Sequence, residues 1–248
     1  REMLGLLVRR DLKSRYKDSA LGFLWTLARP LTQLLIYYIV IGTFLGAARN
    51  IPDFGTFVFT GLTAYMLFSE IVSSGTSSII TNAGLIKKIY LPREVFPLAS
   101  VGSALFNFAI QLGILLAAAA IAGRFPWHVD LLYAIPSLAV ILAFGTGFAL
   151  LLSAWNVFLR DIGYLLEVVL LVLMWASPVV YSWEFVQKAL GHGWLLELYT
   201  NNPITLAVLG DQRAFWVAGE AAPQPEGLLL RLGTAFPVGI VFVIVGQR

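Results

Sequence analysis

The residues able to do chemistry are few. Glu70 lies inside an apolar run from Thr56 to Ile80. A carboxylate at membrane depth is costly, which makes it a candidate proton, ion or path residue. Its plainer alternative is a buried structural pair. Beyond it, Ser73, Ser74, Gly75, Thr76, Ser77 and Ser78 place hydroxyls on the same run. A serine hydrolase needs a nucleophile and a histidine base at one depth. His128 and His192 both fall outside the apolar runs. The run therefore reads as small-residue helix packing, with hydrolysis on Ser77 as a rival and ion coupling through Glu70 as another. Glu167 sits near the edge of a later run and reaches the interface. Without a cysteine or a G-x-x-x-x-G-K-S/T motif, thiol chemistry, cysteine zinc sites and P-loop nucleotide binding are excluded. No catalytic, cofactor-binding or metal residue is assigned.

Composition sets the elements that must position these groups. Of 248 residues, 58% are hydrophobic and 12% charged, and the mean hydropathy is +0.81. A soluble domain carries roughly 25% charged residues. So few charges cannot cover a sphere of this size, and much of the surface must face lipid. Disorder, a cytosolic enzyme and a nucleic-acid partner are excluded despite the pI of 9.2. A membrane helix needs about 20 apolar residues. Six segments qualify or nearly so: Leu31–Ala48, Thr56–Ile80, Val95–Ala122, Leu131–Val157, Gly163–Tyr181 and Leu228–Gly246. The predicted fold is an all-α membrane protein with six transmembrane helices in one domain, residues 1–248. Residues 1–30 are an amphipathic lead-in, 31–181 hold spans one to five, 182–227 form an external region, and 228–248 hold span six.

Lysine and arginine placement gives the orientation. Arg1, Arg9, Arg10, Lys13, Arg15, Lys17, Arg29, Lys87, Lys88, Arg93, Arg160 and Arg248 fall on one side. Arg49, Arg124, Lys188, Arg213 and Arg231 fall on the other. The richer side is cytoplasmic, and an even span count puts both termini there.

Three pieces do not span. In residues 1–18, Leu4, Leu7, Val8, Leu12 and Tyr16 share a helix side opposite Arg9, Arg10, Lys13 and Lys17. This basic amphipathic helix suits the membrane lipid of an anionic leaflet. Asp11 and Arg15 point near the apolar arc at a spacing that allows an ion pair, which leaves a protein contact as the alternative. The second piece, NAGLIKKIYLPR from Asn82 to Arg93, reads as a short helix capped by Asn82 and stopped by Pro92. Its Leu85, Ile86, Ile89 and Tyr90 form an apolar face beside Lys87 and Lys88. Exposed to cytosol, that face needs a partner groove; a loop resting on the membrane is the alternative. The third piece, Ser182–Gly227, is too long for an idle loop and too charged for a span. Short interfacial or re-entrant helices fit it, with bends at Pro178 and Asn202-Pro203.

The run RDLKSRYKDSALGFLW from Arg10 to Trp25, followed by Arg29-Pro30-Leu31, resembles the start of the permease subunit of type-2 ABC polysaccharide exporters. Those export O-antigen, teichoic acid or related glycans. Asn82–Arg93 is similar to that family's cytoplasmic coupling helix. Arg160-Asp161, Ser177-Pro178-Val179-Val180-Tyr181 and Asn202-Pro203 resemble its later landmarks in order. The resemblance implies a homodimer in a bacterial inner membrane with two ATP-binding cassette subunits, which hold ATP and Mg outside this chain. It implies an interface helix carrying Arg9, Arg10, Asp11, Lys13, Arg15 and Lys17, and ATPase coupling through Leu85, Ile86, Lys87, Lys88, Ile89 and Tyr90. It also implies a polysaccharide linked to a polyprenyl diphosphate lipid. A glycan path calls for many weak contacts, such as aromatic faces stacked on sugars. Tyr37, Tyr65 and Phe68, with Glu70 half a turn on, are the expected path residues, on a seam between two copies lined by spans one, two and five.

Overall fold

Apolar segments become helices because a backbone removed from water must satisfy its own hydrogen bonds. The computed structural model describes residues 2–16, 22–88 and 91–247, and its described residues contain no strand. The helices in chain order are α1 (Glu2–Tyr16), α2 (Gly22–Tyr37), α3 (Phe54–Thr81), α4 (Ala83–Ile86), α5 (Val95–Ile121), α6 (Ala134–Phe158), α7 (Asp161–Trp175), α8 (Trp183–Leu190), α9 (Trp194–Thr200), α10 (Pro203–Phe215) and α11 (Leu228–Gly246). Helix α2 runs on into a π-helical stretch, Tyr38–Phe44.

Among the described residues, four helical stretches are long and apolar enough to cross a membrane: Phe54–Thr81, Val95–Ile121, Val129–Phe158 and Leu228–Gly246. The apolar part of the first expected span is shorter, Pro30–Phe44. Helix α7 has 15 residues, about 22 Å at the helical rise and short of a hydrocarbon core of about 30 Å. The expectation that span five reaches Tyr181 is corrected. The helix stops at Trp175, because Pro178 disfavours helical backbone at the residue before it. The chain instead turns, with Val179 N donating to Ser177 O at 2.8 Å.

Helix α3 forms the centre, with Phe57, Val58, Leu62, Ile71 and Val72 almost fully buried. Close approach depends on absent side chains. A Cβ at Gly75 would sit 2.5 Å from Ala149 Cβ on α6, and one at Gly147 would sit 2.7 Å from Phe242 Cβ on α11. Any side chain at either glycine would push two helices apart.

The long helices define two ends. One carries α1, α4 and the turn leading to α5; the other carries residues 45–53, 122–133 and 176–227. At this second end Arg124 pairs with Asp53 at 3.2 Å, Arg213 with Asp130 at 2.7 Å and Arg231 with Glu197 at 2.6 Å. Helix α10 is buried on nearly every side. Its start is a cap as well as a bend: Asn202 Oδ1 accepts from Ile204 N at 3.0 Å, with Pro203 in the first turn.

Candidate functional site

Of the expected path residues, Tyr37, Tyr65 and Phe68 gather around the meeting of α2, α3 and α7, whereas Glu70 turns to α5. Tyr65 on α3 donates its hydroxyl to the Leu170 carbonyl of α7. The Tyr37 hydroxyl lies 3.6 Å from Met174 Sδ, and its ring stands edge-on to Trp175 with centroids 6.5 Å apart. The buried residues of α7 are Leu166, Leu170 and Met174. They recur every four residues, so α7 meets the bundle along one narrow stripe. Its other faces are open, with Tyr164, Leu165, Val168, Leu171 and Val172 all exposed. Phe68 is 4% exposed and packs edge-on to Phe148, 6.4 Å away. It also lines an apolar cavity of 250 Å³ walled by α3, α6 and α7. Tyr65 and Phe68 therefore face the protomer's own interior beneath α7, whereas Tyr37 keeps a half-exposed edge.

Glu70 is half-buried and accepts a bond from Asn107 Nδ2 on α5 at 2.6 Å. Sequence reasoning missed Asn107, although an amide within an apolar run is a legible signal. Ser74, Thr76, Ser77 and Ser78 spend their hydroxyls on carbonyls of their own helix. Thr76 Oγ1 donates to Val72 O at 2.7 Å, and Ser77 Oγ lies 3.2 Å from Ser74 O. Ser77 lies near the α4 end of α3, while His128 precedes the 3-10 turn Val129–Tyr133 at the opposite end. The two are not brought together.

At the α1 end, Leu7 is buried against Phe96 and Ala99, with Val8, Leu85 and Ile86 packed around them. Gly102 lets α1 settle on α5, since a Cβ there would meet Val8 Cγ2 at 2.7 Å. Arg9, Arg10 and Lys13 are exposed. The Arg10 guanidinium donates to Asp11 Oδ1 at 2.7 Å and to Asn82 Oδ1 at 2.7 Å, joining α1 to the start of α4. Lys17, Ile89, Tyr90 and the Arg15 side chain lie outside the described residues.

Two expectations at this end are corrected. The helix expected over Asn82–Leu91 is a single turn, Ala83–Ile86, followed by a turn at Lys87 and Lys88. Asn82 makes no side-chain cap bond; its Nδ2 donates backward to Ser78 O at 2.9 Å. The outward groups are Lys87 and Lys88, because Leu85 and Ile86 already pack within the chain.

At the far end, the Arg231 guanidinium grips Glu197 bidentately, at 2.6 and 3.1 Å. Those hydrogen bonds hold the Glu197 carboxyl below the ordinary carboxylate value. Tyr199 donates its hydroxyl to Tyr181 Oη at 3.2 Å, and burial pushes the Tyr199 phenol up. Burial likewise pushes the Asp211 carboxyl on α10 well above its ordinary value.

Residues 2–210 match the ABC-2 type transporter family. The chain belongs to that family. The ABC-2 match takes in both the Arg10–Asn82 contact and the cluster where α2, α3 and α7 meet. An O-antigen export system permease protein, RfbA of Myxococcus xanthus, is 33% identical over 218 residues, covering 87% of this chain and 81% of that protein. The RfbA permease of Klebsiella pneumoniae is 28% identical over 215 residues, 86% of this chain and 80% of that protein. The polysialic acid transport protein KpsM of Escherichia coli is 32% identical over 78 residues, 31% of this chain and 30% of that protein. The resemblance read from Arg10–Trp25 and the later motifs is thus the correct one.

Proposed function

We propose that this chain is the permease subunit of an ATP-driven exporter moving a cell-envelope polysaccharide, linked to a polyprenyl diphosphate lipid, across a bacterial inner membrane. The observation that carries this reading is the similarity to O-antigen export permeases along most of the chain. Two copies pair, both termini lie in the cytoplasm, and two ATP-binding subunits supply ATP and Mg. Six spans arise when α2 with its π-helical extension and the short α7 cross beside the four long stretches, while α8 to α10 dip in from outside. The chain performs no covalent chemistry itself.

The mechanism follows from how lightly α7 is held. ATP-driven closure of the partner subunits presses on Lys87, Lys88 and the flanking Ile89 and Tyr90. It also presses on α1 through Arg9, Lys13, Arg15 and Lys17. Arg10 and Asp11 transmit that push to Asn82. Parting α7 from α3 gives up the Tyr65–Leu170 bond, about 1 kcal/mol for a typical hydrogen bond. The parting uncovers Tyr37, Tyr65 and Phe68 to a seam between copies, while Glu70 keeps its bond to Asn107 on the α5 side of α3. ATP drives this only by stabilising the parted arrangement more than the closed one.

The test is deletion of the chain, followed by complementation and affinity purification. Loss of surface glycan, its return with the plasmid copy, and co-purification of an ATPase are expected. A deletion strain with undiminished surface glycan overturns the reading.

A further inference from the structure

A cavity of 540 Å³ opens at the end of the molecule opposite α1, between residues 50–52, α3, α8, α10 and the 3-10 turn Val217–Gly219. It lies wholly within one protomer, apart from the α2–α3–α7 cluster, and its volume falls in the roughly 300–1,000 Å³ range of small-ligand sites. Its wall is aromatic and immobilised. Phe57 and Trp216 meet at 4.8 Å between centroids, and Trp216 Nε1 donates to Pro52 O at 2.7 Å. Trp183 is fixed by its own Nε1, which donates to Thr200 Oγ1 at 3.1 Å. Gln212, 3% exposed, donates Nε2 to Pro178 O at 2.8 Å, which orients its amide at the cavity wall. The rim carries Phe185, 66% exposed, and the Glu184–Lys188 ion pair at 2.5 Å.

We infer that this cavity is a saccharide-binding site, taking one or a few sugars of a polymer as it leaves the membrane; the inference rests on the glycan-export reading. The exposed Phe185 ring offers a face to sugar C–H surfaces, and the buried Trp183, Trp216 and Phe57 hold the wall behind it rigid, so that little entropy is lost on binding. Gln212, Glu184, Lys188 and Gln224 offer donors and acceptors to hydroxyls. An acyl chain would take water from the Glu184–Lys188 pair and the Gln224 amide and offer them no hydrogen bond in return, which is costly. The rim ion pair sums to zero charge, which suits a neutral or weakly charged glycan.

The cavity also continues the candidate path. Tyr37 stands edge-on to Trp175, Tyr181 donates to the Trp175 carbonyl, and the Tyr181 and Phe185 rings lie 6.4 Å apart. This series of rings runs from the α2–α3–α7 cluster to the cavity rim. A polymer crossing it meets successive weak contacts and then a site with fixed hydrogen-bonding groups. Such a site disfavours backsliding between ATP cycles.

The test uses the assembled exporter in cells and the glycan those cells make. The photocrosslinker p-benzoylphenylalanine replaces Gln224 at the cavity, or Leu230 on the exposed flank of α11 as control, in a strain deleted for the chain. Glycan-bearing adducts are expected at position 224 and not at 230. Adding Phe185→Ala should lower the adduct yield roughly five-fold, the scale of one lost ring contact. If the crosslinker at 224 blocks complementation, position 185 is used, with Glu184→Gln and Lys188→Gln together as the weakening change. Restored surface glycan with no adduct at 224 or 185, or with equal adduct at 230, overturns the saccharide site and leaves export standing. A deletion strain that keeps its surface glycan overturns the export reading itself.

Discussion

Burial acts differently on two carboxylates. Glu70 is half-buried and accepts a bond from Asn107 Nδ2 across the α3–α5 contact at 2.6 Å. Asp211 lies in α10, outside the spanning helices, at 4% exposure, and burial raises its pKa well above the ordinary value. The sign of the pH effect follows. In strong acid the carboxyl is protonated whether folded or unfolded and makes no difference. As pH rises through the unfolded value of about 3.9, the unfolded chain ionises first and folded stability falls, until the folded carboxyl also ionises. Asp211→Asn should therefore raise the unfolding temperature of the detergent-solubilised protein at mildly alkaline pH, and the gain should vanish in acid. Equal shifts at both pH values would show that the amide acts through packing instead.

Among the elements, α7 and the turn after α4 are the ones that the proposed mechanism moves. Helix α7 presents one buried stripe to the bundle, and Tyr65 supplies a bond across it. Tyr65→Phe keeps the ring and removes the donor, so export should stay within about two-fold while stability drops by about 1 kcal/mol. Tyr65→Ala removes the stacking face, and surface glycan should fall several-fold at matched expression. Normal export by the alanine variant would take Tyr65 off the path.

At α4, Ile86 packs with Leu85, Leu7 and Phe96, so a charge there would disturb α1 before it reached any partner. Lys87 and Lys88 are the exposed groups. The double change Lys87→Glu, Lys88→Glu should leave the yield of folded permease unchanged and abolish co-purification of the ATPase. Retained co-purification with normal export would remove these lysines from the coupling surface.

For the whole molecule, the proposed pairing sets a second copy against the open faces of α2 and α7 and leaves the equally open α11 to lipid. Leu31, Leu35, Ile36, Val168 and Val172 are all exposed, and apolar surface this large belongs against lipid or a partner helix. The chain contains no cysteine, so a single introduced cysteine reports without background. Val172→Cys should give a dimer-sized product with a short bis-maleimide in membranes, whereas Val129→Cys at the outer end should not. Labelling of Val172→Cys by a lipid-soluble maleimide without any dimer would place that face against lipid.

How much of this was legible in the sequence depended on how local the physics is. Hydropathy sums over neighbouring residues, so Thr56–Ile80 and Val95–Ala122 were legible almost to the residue as α3 and α5. Lysine and arginine counts needed no contacts, and neither did the ordered motifs from Arg10 to Asn202-Pro203. Pro178 was legible as a bend, but the length lost from span five was not, because apolar residues continue through Val180 and Tyr181. The pairings were invisible. Arg10 with Asn82 spans 72 positions and Tyr65 with Leu170 spans 105. Helical spacing shows which residues share a face, and only packing decides which face it meets. Tyr65 and Phe68 therefore looked outward in sequence and lie inward in the fold. The outer cavity, drawn from segments near residues 50, 183, 212 and 224, exists only once α8 and α10 close over the end of α3, because no local segment holds more than part of its wall.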